Sequence, residues 1–353
     1  MSKINKAYPF FTQKLLQWNQ DDNDRSYPWR NLKDPYKIWL SEILLQQTRS
    51  DQGLAYYLKF TEKYKDIHQL AAAPDDEVFL LWQGLGYYNR CKNLLISARY
   101  ISKELKGIFP DDYEGLLNLK GVGSYTASAI ASFAYDLPHA VLDGNVYRVV
   151  ARYFGVFLPI DTQEGKQKFQ QLAQENLAVN DAAQYNQAIM DFGATVCKPK
   201  LPLCSICPLA ESCLAFKHDY IAELPFKSKK IKVVDRYFHY FLLKFEEEIF
   251  LQQRKGKDIW QSLYELYPIE INGDFKETEE WGDLSGFVVL AEENVFQYKQ
   301  RLTHQLIRTD FHEIQLNSKP EFLSHGTWIS RNNLKNYSFP KTILSFLSRM
   351  YYF

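Results

Sequence analysis

Four of the five cysteines in this chain fall within seventeen residues, Cys197, Cys204, Cys207 and Cys213, in the spacing C-x6-C-x2-C-x5-C, while Cys91 stands apart. Such a cluster reads as a metal loop rather than a disulfide framework wherever the thiol pool is kept reduced. Structural zinc sites usually supply two C-x2-C pairs, whereas this array has one such pair and two wider gaps. Four thiolates can instead hold a 4Fe-4S cluster. The spacing favours iron–sulfur and leaves zinc open. Residues Met1 to Gln20 mix Lys3, Lys6 and Lys14 with Asn and Gln and offer no apolar signal core, so a cytoplasmic protein is expected.

The rest of the chain is large enough to fold around cores of its own. Its 353 residues suggest two domains, and 46% apolar with 24% charged residues excludes a disordered tail. No uncharged apolar run approaches the ~18 residues of a membrane span. Net charge is zero, with 27 basic against 25 acidic residues up to position 230 and 15 against 17 beyond, so any polyanion site must be local. Aromatic residues reach 16%. Core packing is the first reading of that excess, and stacking on unpaired bases is the second.

Up to Cys213 the pattern is helical. Asp34-Pro35 pairs an N-cap with a proline at the first helical position, ahead of Tyr36 to Leu45. Pro74-Asp75, Pro110-Asp111-Asp112 and Asp161-Thr162 mark further starts with acids in a first turn, where the helix dipole favours them. From Ala215 the pattern fails through Leu224-Pro225 and Lys227-Ser228-Lys229-Lys230, which reads as a linker. Beyond it, Tyr237 to Leu243 and Ile249 to Leu251, separated by Glu246 to Glu248, predict a β-hairpin, and Pro340 to Phe353 a closing helix.

Two carboxylates and a turn stand out. Leu119-Lys120-Gly121-Val122-Gly123 lies between the helical segment 111–118 and the small-residue helix from Ser124 to Ala131. Gly121 and Gly123 permit a tight turn whose freed amides, at a helix N-terminus, can bind a phosphate; an ordinary helix connection is the plainer reading. Asp143, before Gly144-Asn145, reads first as a turn residue or N-cap. Glu42 reads first as a solvated helical acid, although its segment, Trp39 to Thr48, is largely apolar, and partial burial there would raise its pKa toward that of a general acid. Helical spacing puts Glu42, Gln46 and Arg49 on one stripe.

These segments together resemble the helix–hairpin–helix DNA glycosylases. The cysteine loop resembles that of the endonuclease III and adenine glycosylase branch, and residues 111–134 resemble the superfamily's hairpin. Tyr27-Pro28-Trp29-Arg30, the Glu42 helix, Gln83 to Tyr88, Asp143-Gly144-Asn145 and Tyr185-Asn186-Gln187 extend the match over nearly the whole chain, which resembles the bacterial adenine DNA glycosylases of the MutY type. The resemblance implies a mainly α glycosylase domain over 1–214 with its iron–sulfur loop at 197–213, a linker at 215–231 and an α+β Nudix-like domain over 232–353.

It further implies a monofunctional enzyme that excises adenine mispaired with 8-oxoguanine or guanine in double-stranded DNA, acting as a monomer with no membrane association. Glu42 would protonate adenine N7. Asp143 would stabilise or capture the oxocarbenium-like sugar, with Asn145 and Tyr125 beside it and Tyr125 in reach of Asp143. Trp29, Arg30, Leu45 and Gln187 would surround the flipped base, and Gln47 and Tyr87 would fill the opened duplex. Thr48, Leu85, Gly121, Gly123, Lys198 and Lys200 complete the implied DNA contacts, and the four cysteines would hold a 4Fe-4S cluster.

Endonuclease III is the nearest competing reading. Bifunctional relatives carry a lysine two positions after the second hairpin glycine, and this chain has Tyr125, whose phenol cannot form an imine. The chain also continues for 140 residues past Cys213. That extension, through Ile259 to Pro268, resembles a Nudix-like recognition domain, but no Arg-Glu-x-x-Glu-Glu run follows; Glu277, Glu279 and Glu280 come later without the arginine, so nucleotide hydrolysis is not expected. Arg301 to Gln305 resembles the loop with which this family meets 8-oxoguanine, Thr303 and His304 being the polar members; alternation of Leu302 and His304 along a half-buried strand is the competing reading. A thymine-directed glycosylase and a non-catalytic iron–sulfur DNA-binding protein remain as alternative functions.

Overall fold

The computed structural model describes residues 8–228, 232–271, 287–350 and 352, and helices begin at Pro35, Asp75, Tyr113 and Gln163, beside the four predicted starts. Lys3, Lys6, Lys229, Lys230, Glu277, Glu279 and Glu280 lie outside the described residues. The chain forms two units, Met1–Ala72 with Asn93–Lys230, and Ala73–Lys92 with Ile231–Phe353.

In the first unit α1 (Phe10–Asp21) precedes α2 (Pro35–Leu45), α3 (Ser50–Lys63) and α4 (Ile67–Ala72). Asp34 caps α2 by accepting from Lys37 N at 3.2 Å, with Pro35 at the first position. A cap of this kind contributes about 1 kcal/mol. Next come α5 (Asp75–Trp82), with three acids in its first turn, and α6 (Asn89–Lys103); α5 and the first turn of α6 fall in the second unit. The hairpin consists of α7 (Tyr113–Leu117) and α8 (Ser124–Tyr135), α7 being shorter than the predicted 111–118 because Asp112 is spent as its cap. Then follow α9 (Gly144–Phe154), α10 (Gln163–Glu175), capped by Thr162, α11 (Ala182–Thr195) and the short α12 (Leu214–Lys217).

Phe11 and Leu15 of α1, Val149 and Val150 of α9, Phe169 of α10 and Phe192 of α11 share one core. Trp39, Tyr185 and Phe60 are also fully buried, so much of the aromatic excess is core. The segment read as a linker is anchored to this unit as far as it is described. Ala215 and Leu224 are buried, Arg152 Nε donates to Leu224 O at 3.0 Å, and Ser228 N donates to Asp161 Oδ1 at 3.0 Å.

The second unit carries β1 (Val234–Phe245), β2 (Glu248–Gln253), β3 (Tyr264–Glu265), β4 (Tyr267–Glu270), β5 (Val288–Arg301), β6 (Gln305–Leu316) and β7 (Thr327–Ser330), then α13 (Lys341–Arg349). The predicted hairpin forms, with Phe245 opposite Glu248 across Glu246-Glu247 and Glu246 at φ +50°. The sheet runs β3-β2-β1-β6-β5, with β4 on β1 and β7 on β2. β1 and β6 are parallel while β5 and β6 are antiparallel, so the sheet is mixed. Phe346 of α13 stacks on Phe311 of β6 at 4.4 Å, closing the core on that side.

Candidate active site

The chain leaves α2 sharply, and that departure builds one wall of the site. Gln46 already has ψ 116° and Gln47 sits in the left-handed region at φ +56°, so the helix ends at Leu45. The predicted stripe of Glu42, Gln46 and Arg49 therefore does not exist: Arg49 is the N-cap of α3. Gln46 turns instead to the hairpin, its Nε2 donating to Gly121 O and Thr126 Oγ1, both at 3.2 Å. Thr48 closes the turn through its N–H to Leu45 O at 3.0 Å, and Gln47 is left exposed at the turn.

Of the two hairpin glycines, Gly121 is the one its surroundings require. Gly121 has φ +82°, and a Cβ there would lie 2.7 Å from Asn93 Cβ. Gly123 is the N-cap of α8 without a side-chain cap, and a Cβ there would meet nothing within 4 Å. The first-turn amides of α8 thus lack a side-chain acceptor at the cap, the arrangement that suits an anion.

Glu42 lies in the last turn of α2 and is 7% exposed. Burial pushes its pKa up to about 7; the Tyr125 hydroxyl opposes this and the nearby Asp143 charge adds to it. Asp143 is the N-cap of α9, as the plain reading holds, and its Oδ1 accepts from Asn145 N and Val146 N, both at 2.8 Å. Its Oδ2 accepts from Asn145 Nδ2 at 2.9 Å. Burial raises the Asp143 pKa also, while these hydrogen bonds hold it down. Two neighbouring buried carboxylates therefore differ in support: Asp143 is held by three donors and Glu42 is desolvated, which favours ionised Asp143 beside protonated Glu42. Tyr125, expected in reach of Asp143, is buried close to both Glu42 and Asp143, and its hydroxyl also lies 3.3 Å from Met190 Sδ of α11.

The residues expected around a base gather on the same unit. Trp29 stacks on Tyr27 at 4.7 Å and meets Tyr57 edge-on at 5.1 Å. Arg30 lies over the Tyr27 ring, donates through Nη2 to Asp191 and through Nη1 to Arg25 O, and Gln187 Nε2 reaches Asp191 Oδ2 at 3.4 Å. Leu45 is half-buried at the end of α2. Tyr185 and Asn186 are core residues, and Asn186 links Val141 N, Ser132 and His139 O. Asp191 and Arg25 were not singled out from sequence, although Asp191 follows Gln187 by four residues on one helix, a spacing that groups them.

All four clustered cysteines line one cavity together with Val196, Pro202, Leu203, Phe216 and Ile221. That donor set, four thiols without carboxylate or imidazole, fits a thiolate-bound cluster or zinc. Among the described residues no three His, Cys, Asp or Glu side chains close on a single ion. Arg148, buried and unmarked in the sequence, donates to Asn145 Oδ1 at 2.8 Å and to Cys197 O at 2.7 Å, joining the loop to the start of α9. Arg152 Nη1 reaches Lys198 O at 2.8 Å; Lys198 is half-buried and Lys200 exposed.

In the second unit Tyr87, at φ +50° and 49% exposed, bonds Thr303 Oγ1 at 3.1 Å. Leu85 is buried at 6%, so its side chain packs the interior instead of facing outward. Thr303 and His304 are both exposed in the turn joining β5 to β6, closed by Leu302 N to Gln305 O at 2.8 Å. The alternation expected of a half-buried strand is thereby replaced by a presented loop.

Residues 40–178 match the HhH-GPD superfamily of base excision DNA repair proteins, and residues 239–349 match the NUDIX domain. An adenine DNA glycosylase of Buchnera aphidicola subsp. Schizaphis graminum is 30% identical over 346 residues, covering 96% of this chain and 97% of the relative. The adenine DNA glycosylase of Mus musculus is 40% identical over 216 residues, covering 59% of this chain and 42% of the relative. Among solved structures, a thermostable thymine-DNA glycosylase superposes with TM-score 0.55 at 30% identity over 59% of this chain and 95% of the other. A non-covalent endonuclease III–DNA complex gives TM-score 0.52 at 22% identity over 60% and 95%, a likeness of fold.

Proposed function

This chain belongs to the adenine DNA glycosylases, monofunctional enzymes that hydrolyse N-glycosidic bonds, and from that premise we propose that it removes adenine lying opposite 8-oxoguanine or guanine. Glu42 donates its proton to adenine N7, turning a poor leaving group into a neutral one as the bond to C1′ breaks. Asp143, ionised at the start of α9, stabilises the cationic sugar or captures it until water completes an abasic site. Asn145 steadies the Asp143 carboxylate, and Tyr125 occupies the place from which an amine would form an imine. The observation that carries this reading is the buried Glu42, with its pKa pushed up to about 7, beside an Asp143 held by three donors.

Trp29, Arg30, Leu45 and Gln187 receive the flipped base, Gln47 and Tyr87 enter the opened duplex, and the amides after Gly121 and Gly123 take a phosphate. Thr48 shapes the turn that presents Gln47. Thr303 and His304 read the 8-oxoguanine edge. Cys197, Cys204, Cys207 and Cys213 would hold a 4Fe-4S cluster, which when bound stiffens the loop that offers Lys198 and Lys200 to the backbone; four thiols lining one cavity support this. The domains are taken as 1–214 and 232–353 joined by 215–231, in a cytoplasmic monomer; no described helix is long and apolar enough to cross a membrane.

A single-turnover assay tests the reading: adenine release from duplexes with adenine opposite 8-oxoguanine, opposite guanine, and opposite thymine. Release from the first two but not the third is expected. Release of thymine from guanine mispairs, with adenine untouched, would replace the adenine reading with the thymine-directed one.

A further inference from the structure

Asp191 is 2% exposed, and four donors converge on it, three from the segment between α1 and α2 and one from its own helix α11. Arg25 Nη1 meets Oδ1 at 2.7 Å; Asn23 Nδ2 at 2.9 Å, Gln187 Nε2 at 3.4 Å and Arg30 Nη2 all meet Oδ2. A carboxylate accepting four hydrogen bonds has little capacity left for a ligand of its own. Arg30 is in the opposite condition. Its two terminal nitrogens are engaged, by Asp191 and by Arg25 O, while its Nε–H is buried with no acceptor among the described residues. A buried donor without a partner keeps its desolvation cost unrelieved, so its persistence calls for an acceptor supplied from elsewhere.

We infer that Asp191 is the positioning residue of the base pocket: it fixes the plane of the Arg30 guanidinium and the amide of Gln187, so that Arg30 Nε–H stays committed to an acceptor nitrogen of the flipped purine. The guanidinium is rigid and planar, so anchoring its two ends sets the direction of the third donor. Asp191 also places a negative charge against two guanidiniums in a pocket where the base becomes cationic on protonation. This rests on reading Trp29, Arg30 and Gln187 as the base pocket.

The test is a double-mutant cycle on single-turnover adenine excision with the full-length protein. Asp191→Asn is expected to slow excision ~30–100-fold with duplex affinity within about 3-fold of wild type, since a displacement of about 1 Å at a positioning contact has this size of effect. In an Arg30→Met background the same change should cost less than about 3-fold. An equal loss in both backgrounds would make Asp191 a general structural residue and overturn the inference, as would a wild-type rate for Asp191→Asn. Should Asp191→Asn fail to fold, Asp191→Glu keeps the charge and displaces it; a loss of about 3–10-fold that disappears with Arg30→Met is expected, and one that persists overturns the inference. If the protein releases a base other than adenine, the adenine assignment falls, and the coupling measured on that base still decides the role of Asp191.

Discussion

Glu42 in the helical unit and Glu265 in the mixed-sheet unit are buried to similar depth, 7% and 2% exposed, in opposite surroundings. Glu265 accepts from Arg254 Nη1 at 2.6 Å, Tyr240 OH at 3.0 Å and Gln252 Nε2 at 3.1 Å. Arg254 in turn meets Asp258 and Ile259 O, and Arg236 bridges Asp258 to Glu270, so the cluster closes on itself. Glu42 has no ion pair among the described residues, and its desolvation is offset only in part by Tyr125. The arginines repeat the contrast. Arg254 uses its Nε and both terminal nitrogens, whereas Arg30 keeps a buried Nε–H unmatched. Burial therefore does not by itself mark a working group. What marks it is burial whose cost the surrounding protein leaves unrelieved, so that a substrate can relieve it.

The strongest way to break this contrast is Glu42→Gln. Excision should fall ~10²–10⁴-fold while mismatch binding survives, because the amide has no acidic proton to give. The wild-type rate should decline as pH rises through about 7, where Glu42 loses its proton, and the Gln variant should lack that limb. Wild-type stability should fall over the same pH range. Since the folded-state value lies above the ordinary 4.5, the contribution of Glu42 is full below pH 4.5 and is lost as pH rises through about 7. The Gln variant should then exceed wild type by ~1–3 kcal/mol at pH 8, and match it below pH 4.5, in thermal or urea unfolding. A wild-type rate that climbs through pH 8 would remove Glu42 as the acid.

The opposite response is expected at Glu265→Gln, which leaves Arg254 short of a partner in the interior. It should cost ~3–5 kcal/mol in urea unfolding, while adenine excision at 25 °C stays within about 3-fold. Equal effects of the two Gln variants on stability would erase the distinction between them.

A smaller effect sharpens the comparison at the other end of the scale, exposed polar groups. Thr303→Ala with His304→Ala should reduce the preference for adenine opposite 8-oxoguanine over adenine opposite guanine by ~1–3 kcal/mol, read as a ratio of rates at fixed salt. An unchanged ratio would move lesion recognition to the helical unit. The smallest expected signal is at Tyr125. Borohydride should trap no wild-type enzyme–DNA imine, and Tyr125→Lys should gain a low level of trapping by placing an amine in the pocket. Efficient trapping by the wild type would contradict a monofunctional enzyme.

Much of the architecture was legible because its signals are short. Asp34-Pro35, Thr162 and Asp143 act on amides two or three residues away, and the turn at Glu246-Glu247 depends on its two flanking strands. The cysteine spacing and the hairpin glycines are likewise local. The reading failed where a helix had to stop: nothing in Leu45-Gln46-Gln47-Thr48 announces a left-handed residue, and Gln46 leaves the helical path for partners 75 and 80 residues away on the hairpin.

What the sequence determined by itself was therefore the set of elements and the inventory of reactive groups, since caps, turns and spacings act within a few residues. The tertiary structure alone decided which of those groups are at work. Whether Glu42 is an ordinary carboxylate or an acid near pH 7 depends on what packs around the end of α2, and Arg30 meets Asp191 across 161 residues of chain. Desolvation and long-range pairing are properties of the packed interior, where the charges that set a pKa are chosen by the fold and not by sequence neighbours.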